Sequence, residues 1–443
     1  MCRYARRVAK CNTPNIINTA VFDYYHEMAT HKLTITAFWL LILVTGLQGQ
    51  FFTTVSPEAV GLSSEHLNRA TIQLQQHVES GDIAGVVAAV VRHGQLAYLE
   101  ALGQIDTAQG KDMPTDALFR LYSMTRPITS LAAMMLWEEG KFELTDPISK
   151  FLPAFADQRV LQSPDRPDPS ATIPRRGDIT VEHLLTHTSG LGGRNSAMYR
   201  AEQVRLRSIS IEDMVANAAR VPLYEHPGTH WRYGISTTIL GRLVEIWSGM
   251  SLDTFFEERI FKPLGMTDTV FWINDTRMER FGPVYRPNRN GILQPHQIEL
   301  VPFTEQPTLK EGGVGLVSTV PDYLQFAQMF LNNGTWNGQQ ILRPATVALM
   351  TTNRLPPSVL PIGFGSSQPG RGWGLGFCVV MDTTDFPYPV NQGTYWWDGS
   401  SGTRFFIDPV YDMVTVIMAA VSPASGNGFR EAFTHTIYDA VIN

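Results

Sequence analysis

The run Tyr122-Ser123-Met124-Thr125-Arg126-Pro127 brings a hydroxyl, a permanent cation and a helix-start signal together within six residues. Proline is tolerated only near the first turn of a helix, so Pro127 places a helix start close to Ser123. A serine there stands beside unpaired backbone N–H groups and the positive end of the helix dipole. Arg126, three positions on, projects from the same side one turn further in. Two readings are open. Ser123 is an ordinary N-cap, a position serine favours, or it is a nucleophile beside a fixed charge. As a nucleophile it needs a neighbouring base, because a free hydroxyl attacks poorly at neutral pH. Guanidinium stays protonated at any relevant pH, so Arg126 cannot take that proton.

Other segments bear on the choice. Ser-x-x-Arg resembles the Ser-x-x-Lys motif of the serine β-lactamase and penicillin-binding-protein superfamily. Thr125 to Gly140, followed by Leu144-Thr-Asp-Pro147, looks like the helix after the nucleophile in its class C-like esterase branch. Leu184-Leu-Thr-His-Thr-Ser-Gly-Leu191 looks like a segment typical of the same group, and Trp231-Arg-Tyr-Gly-Ile-Ser236 resembles the second motif, which supplies a tyrosine. Gly312 to Asp322 is similar to a family loop and the helix after it. Trp397-Asp-Gly399, running on to Pro409, resembles the third motif and its hairpin. Together these cover roughly residues 55–440.

The resemblance implies acyl transfer through a covalent serine intermediate. Ser123 would be the nucleophile and Tyr233 the group that moves protons. The N–H groups of Ser123 and Ser400 would form the oxyanion hole, each donor worth about 10²–10³ in rate. Trp397, Asp398 and Gly399 would border the substrate. Arg126 stands where the family carries lysine, and would act as a fixed charge favouring tyrosinate over tyrosine at Tyr233. The second motif lacks an asparagine two residues after the tyrosine, and Trp397-Asp-Gly399 replaces Lys-Thr-Gly. Both missing groups would hold parts of a β-lactam, and an aromatic third motif resembles esterases that take neutral esters. Asp398 is expected to repel an anionic substrate. The reading is a serine hydrolase acting on small ester or acyl substrates, with weak or no β-lactamase activity. A catalytically silent binding protein of the same fold is the alternative, and a peptidoglycan peptidase is disfavoured by the missing lysines.

These groups need elements to hold them. Leu67, Ala70, Leu74 and Val78 fall at near-helical spacing over 65–80. The apolar runs 83–91 and 96–102, split by His93-Gly94-Gln95, read as a hairpin. Ile128, Leu131, Ala132, Met135 and Leu136 mark one helix face, closed by Gly140. Residues 141–319 are Pro-rich and helical without strand alternation, and one helix there carries Leu240, Leu243, Val244 and Trp247 ahead of Gly249. Strand chemistry returns at 374–380, 403–407 and 413–419, with a last helix over 429–442. Strands at both ends and helices between predict an α/β (α+β) protein, β-lactamase-like by the resemblance. An antiparallel sheet flanked by helices (55–140 with 320–443) joins a mostly helical part (141–319), with the site in the cleft between. The stretch 355–371 reads as a surface loop. Trp231, Trp396 and Trp397 are either pocket lining or core.

Composition narrows the function classes. With 35 Lys plus Arg against 41 Asp plus Glu, and no basic cluster, the chain lacks the surface nucleic acid requires. Three cysteines without C-x-x-C spacing give neither a disulfide framework nor a zinc site of that type. His26 and His31 miss the spacing of a zincin helix. His183, His187, His226 and His230 are expected in structural or surface roles, His230 being the one to watch because it lies three residues before Tyr233. No G-x-S-x-G elbow and no strand-linked G-x-G-x-x-G occur, so neither an α/β-hydrolase nor a nucleotide cofactor is indicated. No metal or other cofactor is expected. Residues 1–49 read as an upstream extension and a signal peptide over about 28–49, short for a spanning helix. Export to the periplasm or medium without stable membrane insertion is expected, a retained anchor being the alternative. Cys378 would then be the remaining cysteine.

Overall fold

The apolar run of β1 (Gly85–Arg92) serves two cores at once. Val87, Ala89 and Val91 enter one buried cluster while Val86, Ala88 and Val90 enter another. Side chains alternate across a strand, so a run that is apolar at every position must be covered on both faces. The computed structural model describes residues 52–442 apart from Arg194, Arg205, Leu300 and Gly365. The proposed signal segment and the His26–His31 pair lie outside the described residues. No helix among the described residues is long and apolar enough to cross a membrane.

β1 pairs with β2 (Gln95–Asp106), which pairs with β3 (Lys111–Asp112). The remaining strands come from the end of the chain: β4 (Arg371–Trp373), β5 (Cys378–Val380), β6 (Tyr395–Asp398), β7 (Thr403–Asp408) and β8 (Met413–Ala419). Their order is β4-β5-β6-β7-β8-β1-β2-β3, and each neighbouring pair is antiparallel. The two ends of the sequence thus meet at the β8–β1 ladder, with Val86 opposite Ala419 and Arg92 opposite Met413. Of the expected strand over 374–380 only 378–380 is strand, because residues 374–377 turn between β4 and β5. β6 carries Trp397 and Asp398 of the third motif, whose hairpin the resemblance implies; its Tyr-Trp-Trp-Asp run has no apolar–polar alternation because three of its four residues are buried.

One face of the sheet is covered by α1 (Ser64–Glu79) and the C-terminal helix. Leu67, Ala70 and Leu74 pack there with Phe429, Phe433 and Ile437. In the core on the other side of the sheet lies α2 (Thr125–Glu138), buried at every position from Thr125 to Leu136. A helix buried all round is fixed from every side, which suits an element that must hold Arg126 and the turn before it. Against α2 packs α3 (Ser236–Ser248), ended by Gly249 in the left-handed conformation, and α4 (Val320–Leu331) lies across β7 and β8. The last helix, α5, is Phe429–Asp439. The stretch 141–319 is not strand-free: 160–161 pairs with 172–173, and 284–287 with 293–296.

Candidate active site

Ser123 is not a helix cap. It sits in a 3-10 turn, Tyr122–Met124, with the α-helix beginning only at Thr125, and no side chain caps either element. The N-cap reading therefore fails for Ser123. Tyr122 holds φ +43 at a non-glycine residue, a conformation that costs about 1–3 kcal/mol and persists only where its surroundings impose it. Those surroundings are visible. Leu121 N donates to Leu316 O (2.9 Å), Leu316 N donates to Thr125 Oγ1 (3.2 Å), and Tyr323 Oη donates to Met124 O (2.8 Å). Gly399 closes the turn from the other side: a Cβ there would lie 2.0 Å from Thr403 Oγ1 and 2.4 Å from Leu121 O. The third-motif glycine is needed for close backbone approach.

Tyr233 precedes α3, facing the start of α2. The Arg126 guanidinium lies over its ring, 4.3 Å from the centroid, and NH1 donates to Gly234 O (2.8 Å) and Thr237 Oγ1 (3.1 Å). Arg126 is buried, and among the described residues it has no carboxylate partner and no acceptor at Nε. Negative charge developing on the Tyr233 oxygen would therefore meet an uncompensated cation. Trp397 Nε1 donates to that oxygen at 2.7 Å, so the third motif reaches the second through a hydrogen bond as well as a wall contact.

Ser123, Tyr233, Trp397, Asp398, Gly399 and Ser400 all line one cavity of about 560 Å³, within the usual range for small-molecule sites. Arg126 stands behind Tyr233 rather than on the wall. Among the described residues the backbone N–H groups of Ser123 and Ser400 have no hydrogen-bond partner, so both are free to serve a ligand oxygen. The Ser123 hydroxyl is likewise unpaired among them. A second cavity, of about 320 Å³ beside Phe261 and Trp272, has no serine, cysteine, histidine or lysine on its wall. Among the described residues no group of His, Cys, Asp and Glu could hold a metal ion.

The expectation that Asp398 repels anions does not survive. Asp398 Oδ1 accepts from Arg404 Nε (2.6 Å), Oδ2 accepts from Arg404 NH2 (2.8 Å), and Arg430 NH1 stands 3.8 Å from Oδ2. Burial alone would raise its pKa, but the arginines outweigh that and hold the carboxyl below the ordinary range. Its charge is neutralised where it sits.

Three residues of the site were not singled out for it from the sequence. His187 is buried with φ +59, its ring 4.7 Å from that of Tyr233 and 5.2 Å from that of Trp373. Burial, aided by the Arg126 charge, puts its pKa well below the usual histidine value, so it packs as a neutral ring. His230, nearer in sequence, is exposed, with Nδ1 3.0 Å from Thr229 Oγ1. Trp373 packs edge-on against Trp397 at 4.5 Å and anchors its own Nε1 on Leu185 O. Phe364, in the 355–371 loop, lies 5.3 Å from both the Trp231 and Tyr233 rings, so that loop is cavity wall as well as surface. Trp396 and Trp397 line the cavity, while Trp231 packs behind it on Tyr233. His187 lies inside the 184–191 segment typical of the family, and nothing in its spacing points at Tyr233.

Comparison with known proteins agrees with this architecture. The Beta-lactamase family model matches residues 73–434. Protein Rv1367c of Mycobacterium tuberculosis is 33% identical over 364 residues, covering 80% of this chain and 90% of that protein. Esterase EstB of Burkholderia gladioli is 28% identical over 408 residues, 88% of this chain and 98% of the esterase. Among solved structures, EstCE1, a hydrolase with promiscuous acyltransferase activity, superposes with a TM-score of 0.73 at 27% identity, covering 85% of this chain and 98% of its own. The expected antiparallel sheet with flanking helices is this family's fold, and the chain belongs to the beta-lactamase family.

Proposed function

We propose that the protein is a serine hydrolase that opens small esters through an acyl-enzyme on Ser123. The observation that carries this reading is the triangle around Tyr233: its ring stacks under the buried Arg126 guanidinium, its oxygen accepts from Trp397 Nε1, and it shares a cavity with Ser123. In the proposed sequence Tyr233, as tyrosinate, takes the Ser123 proton while Oγ forms a bond to the ester carbonyl carbon. The carbonyl electron pair moves onto oxygen, which the Ser123 and Ser400 N–H groups receive. Collapse breaks the bond to the alcohol, which leaves with the proton returned by Tyr233. Water then releases the acid, or a second alcohol takes the acyl group. The relatives named esterase and hydrolase with acyltransferase activity favour this chemistry over lactam hydrolysis, as do Arg126 and Trp397 in place of two lysines.

A silent binding protein is the second reading, favoured by the unpaired Ser123 hydroxyl, although such contacts often tighten only once substrate binds. Hydrolysis of 4-nitrophenyl butyrate by wild type, Ser123→Ala and Tyr233→Phe separates the two. Turnover lost in both variants supports the hydrolase; wild-type rates at background, or surviving in Ser123→Ala, refute it. Export directed by residues 28–49 is part of the proposal, and N-terminal sequencing of the mature protein tests it.

A further inference from the structure

Three guanidiniums line the same cavity as Ser123. Arg371 comes from β4, Arg404 from β7 and Arg430 from the start of α5. Facing them on the wall are two carboxylates, Asp398 and Glu431. Arg404 holds both, with NH2 3.0 Å from Glu431 Oε1 besides its two bonds to Asp398. Arg430 shares Asp398 and reaches the carbonyls of Gly399 (3.4 Å) and Thr403 (3.5 Å).

Arg371 has no carboxylate within ion-pair distance among the described residues. It donates to Gln368 Oε1 and lies over the rings of Phe386 (4.9 Å) and Trp396 (5.7 Å). One positive charge is therefore left over on the cavity wall. Arg404 and Arg430, only 6% and 8% exposed, charge the wall from beneath it, while Arg371 is the more open of the three. Two of the three guanidiniums are committed to carboxylates, and a cluster serving stability alone would balance its charges.

From this we infer that Arg371, Arg404 and Arg430 form a carboxylate-binding subsite, so that the preferred esters carry one carboxylate apart from the reacting carbonyl. The inference rests on the ester-hydrolase reading and specifies its substrate class. A guanidinium fork matches the two coplanar oxygens of a carboxylate, and one surplus charge suits a monoanion better than a phosphate dianion. The cation that a lactam-processing relative would supply from the first position of the third motif is absent here, since Trp397 occupies it. The charge comes instead from β4, β7 and α5.

The test is a matched pair of substrates, 4-nitrophenyl butyrate and the 4-nitrophenyl hemiester of glutaric acid, which share a leaving group and differ by one carboxylate. At low ionic strength kcat/KM for the hemiester should exceed that for the butyrate by about tenfold or more, and the ratio should shrink as salt is added. Arg371→Gln should lower the ratio about tenfold; Glu431→Gln, which removes an opposing charge, should raise it. A ratio near or below one in wild type, or a ratio unmoved by Arg371→Gln, overturns the subsite and leaves the hydrolase reading standing. Should neither ester turn over, the hydrolase reading falls separately. Calorimetric titration with glutarate then decides the subsite, supporting it if wild type binds and Arg371→Gln binds at least fivefold more weakly, and overturning it otherwise.

Discussion

Replacing Trp397 with phenylalanine isolates the bond between the third motif and Tyr233. The indole ring lies 5.1 Å from Tyr233, 4.5 Å from Trp373 and 5.9 Å from Phe364. A phenyl ring keeps an aromatic surface in that cluster, while the Nε1 donor 2.7 Å from the Tyr233 oxygen is removed. A hydrogen bond to a charged acceptor is worth about 1.5–3 kcal/mol, against about 0.5–1.5 for a neutral one. At about 1.4 kcal/mol per factor of ten, the charged case predicts that kcat falls about 10- to 150-fold. The bond matters most when Tyr233 carries negative charge, so the loss belongs in kcat more than in KM. Steady-state hydrolysis of a chromogenic butyrate, with a thermal melt to exclude unfolding, measures it. A folded Trp397→Phe protein with kcat within threefold of wild type would mean that the Nε1 bond does not hold Tyr233 as the tyrosinate that takes the Ser123 proton, and the role given to it would be wrong.

Arg126→Met removes the charge over Tyr233; with a desolvated cation–π contact worth about 2 kcal/mol, kcat should fall about 30-fold with KM little changed, and an equal loss in both would place Arg126 in substrate binding instead. Gly399→Ala forces a Cβ against Thr403 and the Leu121 carbonyl, shifting the turn that carries Ser123; since a displacement of ~1 Å can cost ~100-fold, a folded variant with wild-type kcat would contradict the close-approach argument. Asp322, at the start of α4, has its carboxyl pKa raised to about 7 by burial, with the nearby Asp268 adding to it, despite bonds from Thr269 Oγ1 and Asp268 N. A carboxyl that keeps its proton longer when folded stabilises least at high pH, so its contribution declines as pH rises from about 4 through 7. Asp322→Asn should therefore gain stability over wild type by about 2–3 kcal/mol more at pH 8 than at pH 5, read from denaturant melts; parallel pH profiles would refute this.

The sequence is most informative where chemistry and periodicity coincide. β7 and β8 follow from their apolar runs, and α1 and α3 from one-sided stripes and their ends. Ser123, Tyr233 and the third motif were recognisable because their types recur at fixed positions in a family. What stayed hidden arose from long-range approach. The sequence can show neither that Arg404 lies directly across the ladder from Asp398, nor that Arg371 and Arg430 arrive at the same wall from two other elements. Asp398 alone reads as a repelling charge, and only its pairing reverses the sign of the cavity. His187 was hidden for the same reason, since its partner Tyr233 is 46 residues away in the chain. The capping reading of Ser123 failed because the chain inserts a 3-10 turn, with Tyr122 in a left-handed conformation, that no residue preference announces.

The most direct test of the central claim is to trap the covalent intermediate. Wild-type protein treated with a fluorophosphonate probe, and separately with 4-nitrophenyl butyrate under rapid acid quench, is analysed by intact mass and peptide mapping. The account predicts one phosphonyl adduct and, on the quenched sample, one butyryl adduct, both on the peptide containing Ser123 and both missing from Ser123→Ala. No adduct at saturating probe, or an adduct on any other residue, would contradict it.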